Sequence, residues 1–191
     1  LTTIKRIEKN AVEAAIDALP INITMANKEA VEAVRAAYDA YVAEYSDPTA
    51  SPAVDARTDF NATKISELVA AEKALEELAE KEKAAQIKAV ESFKIKVTTK
   101  RYTGSKMRVN WTVVSGDESA IDGYRIYYST KKSNSGYKYL AKTTKKYINH
   151  TSIKKNVKKG TRVYYRVRAY VEIDGQRYFS DYSTVGNRIW K

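Results

Sequence analysis

The 191-residue sequence has no cysteine and a single histidine, His150. Without thiols there is no disulfide, thiolate nucleophile, iron–sulfur cluster or cysteine-ligated zinc, and one imidazole cannot build a multi-histidine metal site. Proline occurs only at positions 20, 48 and 52, and glycine is absent before residue 104. The glycines that do occur never form a G-x-G or phosphate-loop pattern, so a nucleotide cradle is not expected. No apolar run approaches the length of a membrane span, and no charged-then-apolar leader opens the chain. A start at Leu1 is expected of a piece cut from a longer protein. With most metal and nucleophile chemistries excluded, the expectation is a chain without catalytic residues, cofactor or metal.

What is present divides unevenly. Residues 1–90 carry 11 basic and 16 acidic side chains, a net of −5, and residues 91–191 carry 23 and 7, a net of +16. The first half holds 22 of 25 alanines and every proline; the second holds all seven glycines and 12 of 15 tyrosines. Ala, Leu, Glu and Lys lose little rotamer freedom in a helix, whereas Tyr, Val, Thr and Ile between glycine turns favour strands. The composition therefore predicts a multi-domain α and β chain, with a helical domain over 1–90 and a β domain over 91–191.

Three apolar stripes recur at helical spacing in the first half. Val12, Ile16 and Leu19 form one that Pro20 ends, with Ile4 and Ile7 extending it backward. Val31, Val34, Tyr38, Tyr41, Val42 and Tyr45 form the second, starting near Thr24 to Asn27 and ending before Ser46. Asn61 or Thr63 caps a third whose buried side is Ile65, Leu68, Val69, Leu75 and Leu78. Its other side, with Glu72, Lys73, Glu76, Glu77, Glu80, Lys81 and Lys83, reads as a solvated face. Three such helices are expected to pack as a three-helix bundle. The stretches "AVEAAIDALPINIT", "KEAVEAVRAAYDAY" and "LVAAEKALEEL" resemble helical modules strung along large secreted and surface proteins of Gram-positive bacteria, except that the loop at 46–61 is longer.

From residue 93 the period becomes two. Phe93, Ile95 and Val97, then Met107, Val109, Trp111 and Val113, then Tyr124, Ile126 and Tyr128 alternate with polar or outward residues. Further strands are expected near 137–143, 147–153, 163–172 and 176–185, with Asp174-Gly175 as a two-residue hairpin turn. Seven short strands suggest a sandwich. Trp111, "GYRIYYST" at 123–130, "VKKGTRVYYRVRAY" at 157–170 and "RYFSDYS" at 177–183 resemble a fibronectin type III domain, which implies a seven-stranded β-sandwich. The family's corner tyrosine would fall at position 163, where this chain has valine.

Two surfaces stand out in the β half. Tyr164, Arg166, Arg168 and Tyr170 share the outward face of one strand, and in the resembled topology they neighbour Arg125 and Tyr127. This reads as a cation–π ladder, or alternatively as a platform on which sugar rings stack and carboxylates bridge. Lys142, Lys145, Lys146, Lys154, Lys155, Lys158, Lys159 and Arg162 form a dense positive patch suited to edge protection or to polyanion attraction. Asp55, Asp59 and Asn61 lack the ligand spacing of a calcium loop and read as caps. His150 has no spaced carboxylate and reads as a strand residue. The N-x-S/T tripeptides at Asn22, Asn61, Asn110 and Asn149 carry no expectation of glycosylation in a bacterial protein.

The combined expectation is a noncatalytic spacer and adhesion or ligand-binding segment of a larger bacterial surface or secreted protein, at an extracellular or cell-surface location. The alternatives are an accessory tail of a secreted polysaccharide-degrading enzyme, or a polyanion-binding module. The expected partners are a carbohydrate or anionic cell-wall polymer, or a host surface protein, together with neighbouring domains of the parent chain. Neither nucleic acid nor membrane insertion is expected. Candidate ligand-binding residues are Tyr127, Tyr164, Tyr170, Arg125, Arg166 and Arg168, with Lys154, Lys155, Lys158 and Lys159.

Overall fold

The computed structural model describes residues 2–102, 106–131 and 134–190, with the side chain of Lys154 excepted. The chain divides into two compact units, Leu1–Glu82 and Lys83–Lys191.

The first unit contains α1 (Thr3–Asp17), α2 (Lys28–Tyr45) and most of α3 (Ala62–Glu91). Each start has a local cause. The Thr2 hydroxyl accepts the Lys5 amide at 3.3 Å, a 3₁₀ turn over Met25–Asn27 leads into α2, and Asn61 Oδ1 accepts the Thr63 amide at 2.8 Å. Val12 and Ile16 of α1, Val31, Val34, Tyr38 and Tyr41 of α2, and Leu68 and Ala71 of α3 share one buried core. Ile4 and Ile7 lie inside α1 but are exposed, so the buried stripe begins at Val12 rather than at the helix start. Val69 is also exposed, because the buried line Leu68, Ala71 and Leu75 lies one residue, about a hundred degrees of helix, away from it.

The long connection after α2 is folded. Asp47 and Val54 pair through 2.9 Å backbone bonds, and a 3₁₀ turn at Ala56–Asp59 sends Ala56 and Phe60 into the core against Tyr38 and Tyr41. Asp55 caps the Arg57 amide, and Asp59 accepts Tyr41 Oη at 2.9 Å and Lys5 Nζ at 2.7 Å. Burial, reinforced by Asp59, pushes the Tyr41 hydroxyl well above its ordinary pKa. Glu72 is not on the solvated face of α3: Arg35 grips it through two bonds of 2.5 and 2.7 Å.

The second unit takes in the last turns of α3, whose Val90 is fully buried in the β core. Eight strands follow: β1 (Lys94–Tyr102), β2 (Lys106–Ser115), β3 (Gly123–Ser129), β4 (Lys138–Thr143), β5 (Tyr147–His150), β6 (Arg162–Ile173), β7 (Gln176–Phe179) and β8 (Gly186–Ile189). They form two antiparallel sheets, β1-β2-β5 and β4-β3-β6-β7, with β8 also on β6. Ile95, Val97, Met107, Val109 and Trp111 from the first sheet and Tyr124, Ile126, Val163, Tyr165, Val167 and Ala169 from the second make one core, a sandwich consistent with the fibronectin type III resemblance. Asp174 and Gly175 turn between β6 and β7 with φ of 52° and 75°, the geometry that a two-residue hairpin with right-handed strand twist requires.

The expected count of seven strands is corrected to eight because the last strand is broken. Ser180 and Ser183 interrupt it: each amide donates to a β6 carbonyl, and each hydroxyl accepts a β6 amide, Ala169 at 3.0 Å and Val167 at 2.9 Å. The hydroxyls stand in for backbone carbonyls, so the chain can leave the ladder without orphaning buried donors. It then touches β1, where the Thr184 amide bonds Ile95 O at 3.2 Å, before β8 rejoins β6. The fifth strand also stops at His150 rather than Ile153, and a single helical turn, α4 (Ile153–Asn156), tucks Ile153 into the core.

Candidate ligand-binding surface of the β unit

The outer face of the five-stranded sheet gathers most of the residues singled out from sequence. Register sets Arg125 opposite Arg168 and Tyr127 opposite Arg166, whereas Tyr164 pairs with Ser129 and Tyr170 with Gly123 and Phe179, toward opposite ends of β6. Two arginines opposite each other would repel unless each charge had its own partner. Aromatic rings supply them. Arg166 lies between Tyr137 and Tyr182, its guanidinium carbon 3.9 and 3.5 Å from the ring centroids. Arg168 stacks on Phe179 at 3.6 Å and donates to Tyr127 Oη at 2.9 Å. Arg125 is 4.5 Å from the Tyr139 centroid.

The rings also lock onto one another. Tyr127 meets Tyr139 and Tyr182 edge-to-face at 5.9 and 5.5 Å, and Tyr170 meets Phe179 at 6.4 Å. Tyr127, though on the outer face, is only 9% exposed, because Tyr182 and Tyr139 cover it. The Nε atoms of Arg166 and Arg168 are buried and make no hydrogen bond, so the stack is sealed against its own strands. Tyr139 and Tyr182 are 48% and 38% exposed and form its outward boundary. A ligand approaching this face would meet those two rings and Arg125 before Tyr127.

Tyr137, Tyr139, Phe179 and Tyr182 complete the array and were not among the sequence candidates. Tyr139 and Phe179 could be found by cross-strand pairing once β3 and β6 are registered with their neighbours. Tyr182 has no such signal, because it lies in the break between β7 and β8.

The lysine patch is divided. Lys155 on α4 and Lys158 and Lys159 in the following turn are exposed; the side chain of Lys154 lies outside the described residues. Lys146 is drawn away by a 2.6 Å ion pair with Glu118, and Arg162 bonds Asn187 Oδ1 at 2.6 Å. Lys155, Lys158 and Lys159 thus lie just before the start of β6, whereas Lys142 stands opposite Arg125 across the β3–β4 ladder, so the patch read from sequence is not one surface.

His150 is a core residue, 1% exposed, with Nδ1 2.8 Å from Tyr165 Oη and its ring against Tyr128 and Tyr165. Its Nε2 is buried without a partner. Burial pushes its pKa down to about 4, so it is neutral at neutral pH, and pushes the Tyr165 hydroxyl up. Val163 occupies the corner position as an ordinary buried residue, and the buried hydroxyl belongs instead to Tyr165, two residues on. Among the described residues, no group of three or more His, Cys, Asp or Glu could hold a metal ion. No helix among them is long and apolar enough to cross a membrane.

No family model matches the chain, and no curated protein matches it. Among solved structures, it is similar to a fibronectin type III domain derived from the human KIAA0970 protein, at 15% identity and a TM-score of 0.43, covering 58% of this chain and 80% of that one. It is also similar to a titin fragment, at 14% identity and a TM-score of 0.39, covering 52% of this chain and 31% of that one. A β-1,2-glucanase from Parabacteroides distasonis is similar at 19% identity and a TM-score of 0.38, covering 51% of this chain and 13% of that one. The chain thus spans less than a third of the titin fragment and of the glucanase. These likenesses extend over about half of this chain, and they leave the resemblance of the helical half to bacterial modules unsupported.

Proposed function

We propose that the chain is a noncatalytic spacer and ligand-binding segment of a larger bacterial surface or secreted protein. In this reading residues 1–90 form a three-helix bundle that serves as a spacer, and the β unit contacts a carbohydrate or an anionic cell-wall polymer outside the cell. The observation that carries the proposal is the prestacked face built on Arg125, Tyr127, Arg166 and Arg168, with Tyr139 and Tyr182 at its outer boundary. Its side chains are already immobilised by stacking, so a ligand laid across the exposed rings would cost little further rotamer freedom. The charge split supports the same half, since an acidic bundle at −5 repels what a +16 domain attracts.

The test is binding of the whole chain to a panel of neutral glycans and anionic polymers at low and at physiological salt, repeated with Tyr139→Ala and Tyr182→Ala. Ring stacking should persist at physiological salt, where the Debye length is about 8 Å, and should be lost in the tyrosine variants. If no glycan or polymer binds, the chain is a plain spacer. The same face would serve equally well on an accessory tail of a polysaccharide-degrading enzyme; a catalytic domain encoded beside this segment in the parent gene would select that reading.

A further inference from the structure

One end of the sandwich carries a second concave surface, distinct from the aromatic face. β1 ends and β2 begins beside the start of β6 and the end of β8: Arg101 pairs with Met107, and Arg162 with Ile189. The Trp190 amide bonds Thr161 O at 2.8 Å and the Gly160 amide bonds Trp190 O at 2.6 Å, which pins the chain after β8 onto the turn before β6. Between these elements is a cleft of about 390 Å³. Its apolar floor is Met107 and Trp190, both almost fully buried, and four cations rim it: Arg101, Lys106, Arg162 and Arg188.

No carboxylate among the described residues lines the cleft. Among the described residues Arg101, Lys106 and Arg188 make no ion pair, whereas Lys94, Lys146 and Arg177 of the same unit each hold an acidic partner within 3.0 Å. Arg162 is held in place by the Asn187 amide oxygen, a neutral partner that leaves its charge uncompensated. Four like charges gathered around one concave site raise the local potential. The neighbouring turn adds Lys158 and Lys159, joined to Trp190 through Gly160, so the positive surface continues past the cleft.

The geometry points to an oxyanion-binding cleft at this end of the sandwich, built from Arg101, Lys106, Arg162 and Arg188, that takes the phosphate or sulfate groups of an anionic glycan or polyol polymer. The planar guanidinium forks of three arginines suit tetrahedral oxyanions, which they can meet bidentately. A polymer fits better than a free ion, because the lysine turn offers the next anionic unit a contact. The inference deepens the ligand-binding reading above and rests on it only in taking the ligand to be anionic; its residues are not those of the aromatic face.

Titration of the whole chain with tripolyphosphate, followed by amide chemical shifts, tests it. Shifts are expected at Arg101, Arg162, Arg188 and Trp190. The double variant Arg101→Gln, Arg188→Gln should weaken binding about tenfold, as loss of two partly exposed charged contacts does. Lys138→Gln, Lys142→Gln on β4 removes the same charge elsewhere and should change little, as should Tyr139→Ala, Tyr182→Ala. Equal losses in the two charge variants would mean diffuse attraction and overturn the site, as would no binding at all. Loss only in the tyrosine variant would overturn the cleft while favouring the aromatic face. Dextran sulfate and poly(glycerol phosphate) then separate sulfate from phosphate. Polyglutamate binding as tightly as tripolyphosphate would refute the preference for tetrahedral oxyanions, and an oligothymidylate binding more tightly than poly(glycerol phosphate) would refute the glycan or polyol class.

Discussion

Acid should loosen the β unit through His150. The imidazole is enclosed by Tyr128 and Tyr165, accepts or donates one hydrogen bond at Nδ1, and has no partner at Nε2. No carboxylate among the described residues bonds it, so a proton added in the folded state would be buried with nothing to compensate its charge. Folding lowers its pKa from 6.5 to about 4, so protonation favours the unfolded chain. Its contribution is complete above about 6.5, declines as the pH falls below that value, and is fully lost below about 4. At about 1.4 kcal/mol for each tenfold change in proton affinity, taking the chain from pH 7 to about pH 4.5 should cost ~2 to 3 kcal/mol from this one group. The assay is denaturant unfolding at the two pH values, read from amide signals of residues 94–190, for the parent and for His150→Phe. Carboxylates titrating in acid affect both proteins alike, so the difference in their pH dependence isolates the imidazole. A parent and variant with the same acid loss would refute the burial argument.

Three other outcomes follow from packing. Trp111 lies 5.3 Å edge-to-face on Tyr124 at the centre of the β core, and Trp111→Ala should cost about 3 to 5 kcal/mol, seen as early melting of the β unit; a variant melting with the parent would show that the core is elsewhere. Gly186 faces β1 so closely that a β-carbon would come within 2.6 Å of Val97 Cγ1, so Gly186→Ala should destabilise by about 1 to 3 kcal/mol in the same melt. Tyr182→Ala strips one ring from Arg166 and should cost about 1 kcal/mol, reduced by half or more when Arg166 is already Ala; additive losses would mean that the two side chains are not coupled.

Much of this architecture is legible in the residues. Helical spacing marks Val12, Ile16, Val31, Val34, Tyr38 and Leu68, and two-residue alternation marks β6, where Val163, Tyr165, Val167, Ala169 and Val171 are all buried. The Asp-Gly turn is readable because few other pairs tolerate positive φ twice. Periodicity does not show where a strand leaves its ladder: Ser180 and Ser183 replace backbone acceptors, a role that depends on the amides of β6 across the sheet. The arginines and Tyr127 of the outer face were visible as one strand's parity and its neighbour's, but Tyr137 and Tyr182 reach Arg166 from irregular segments that parity cannot place. The cationic cleft was hidden for the same reason. Its members come from β1, β2, β6 and β8, and only the tertiary fold brings them to one end.

In the proposed reading, the β unit is the ligand-holding half of this chain. Amide chemical shifts across the whole protein, recorded while it is titrated with a binder from the glycan and anionic-polymer panel, test this most directly. Shifts are expected only in residues 94–190, concentrated around Arg125, Tyr139 and Tyr182 or around Arg101, Arg162 and Trp190. Shifts concentrated in residues 2–82, on the acidic helices, would contradict it.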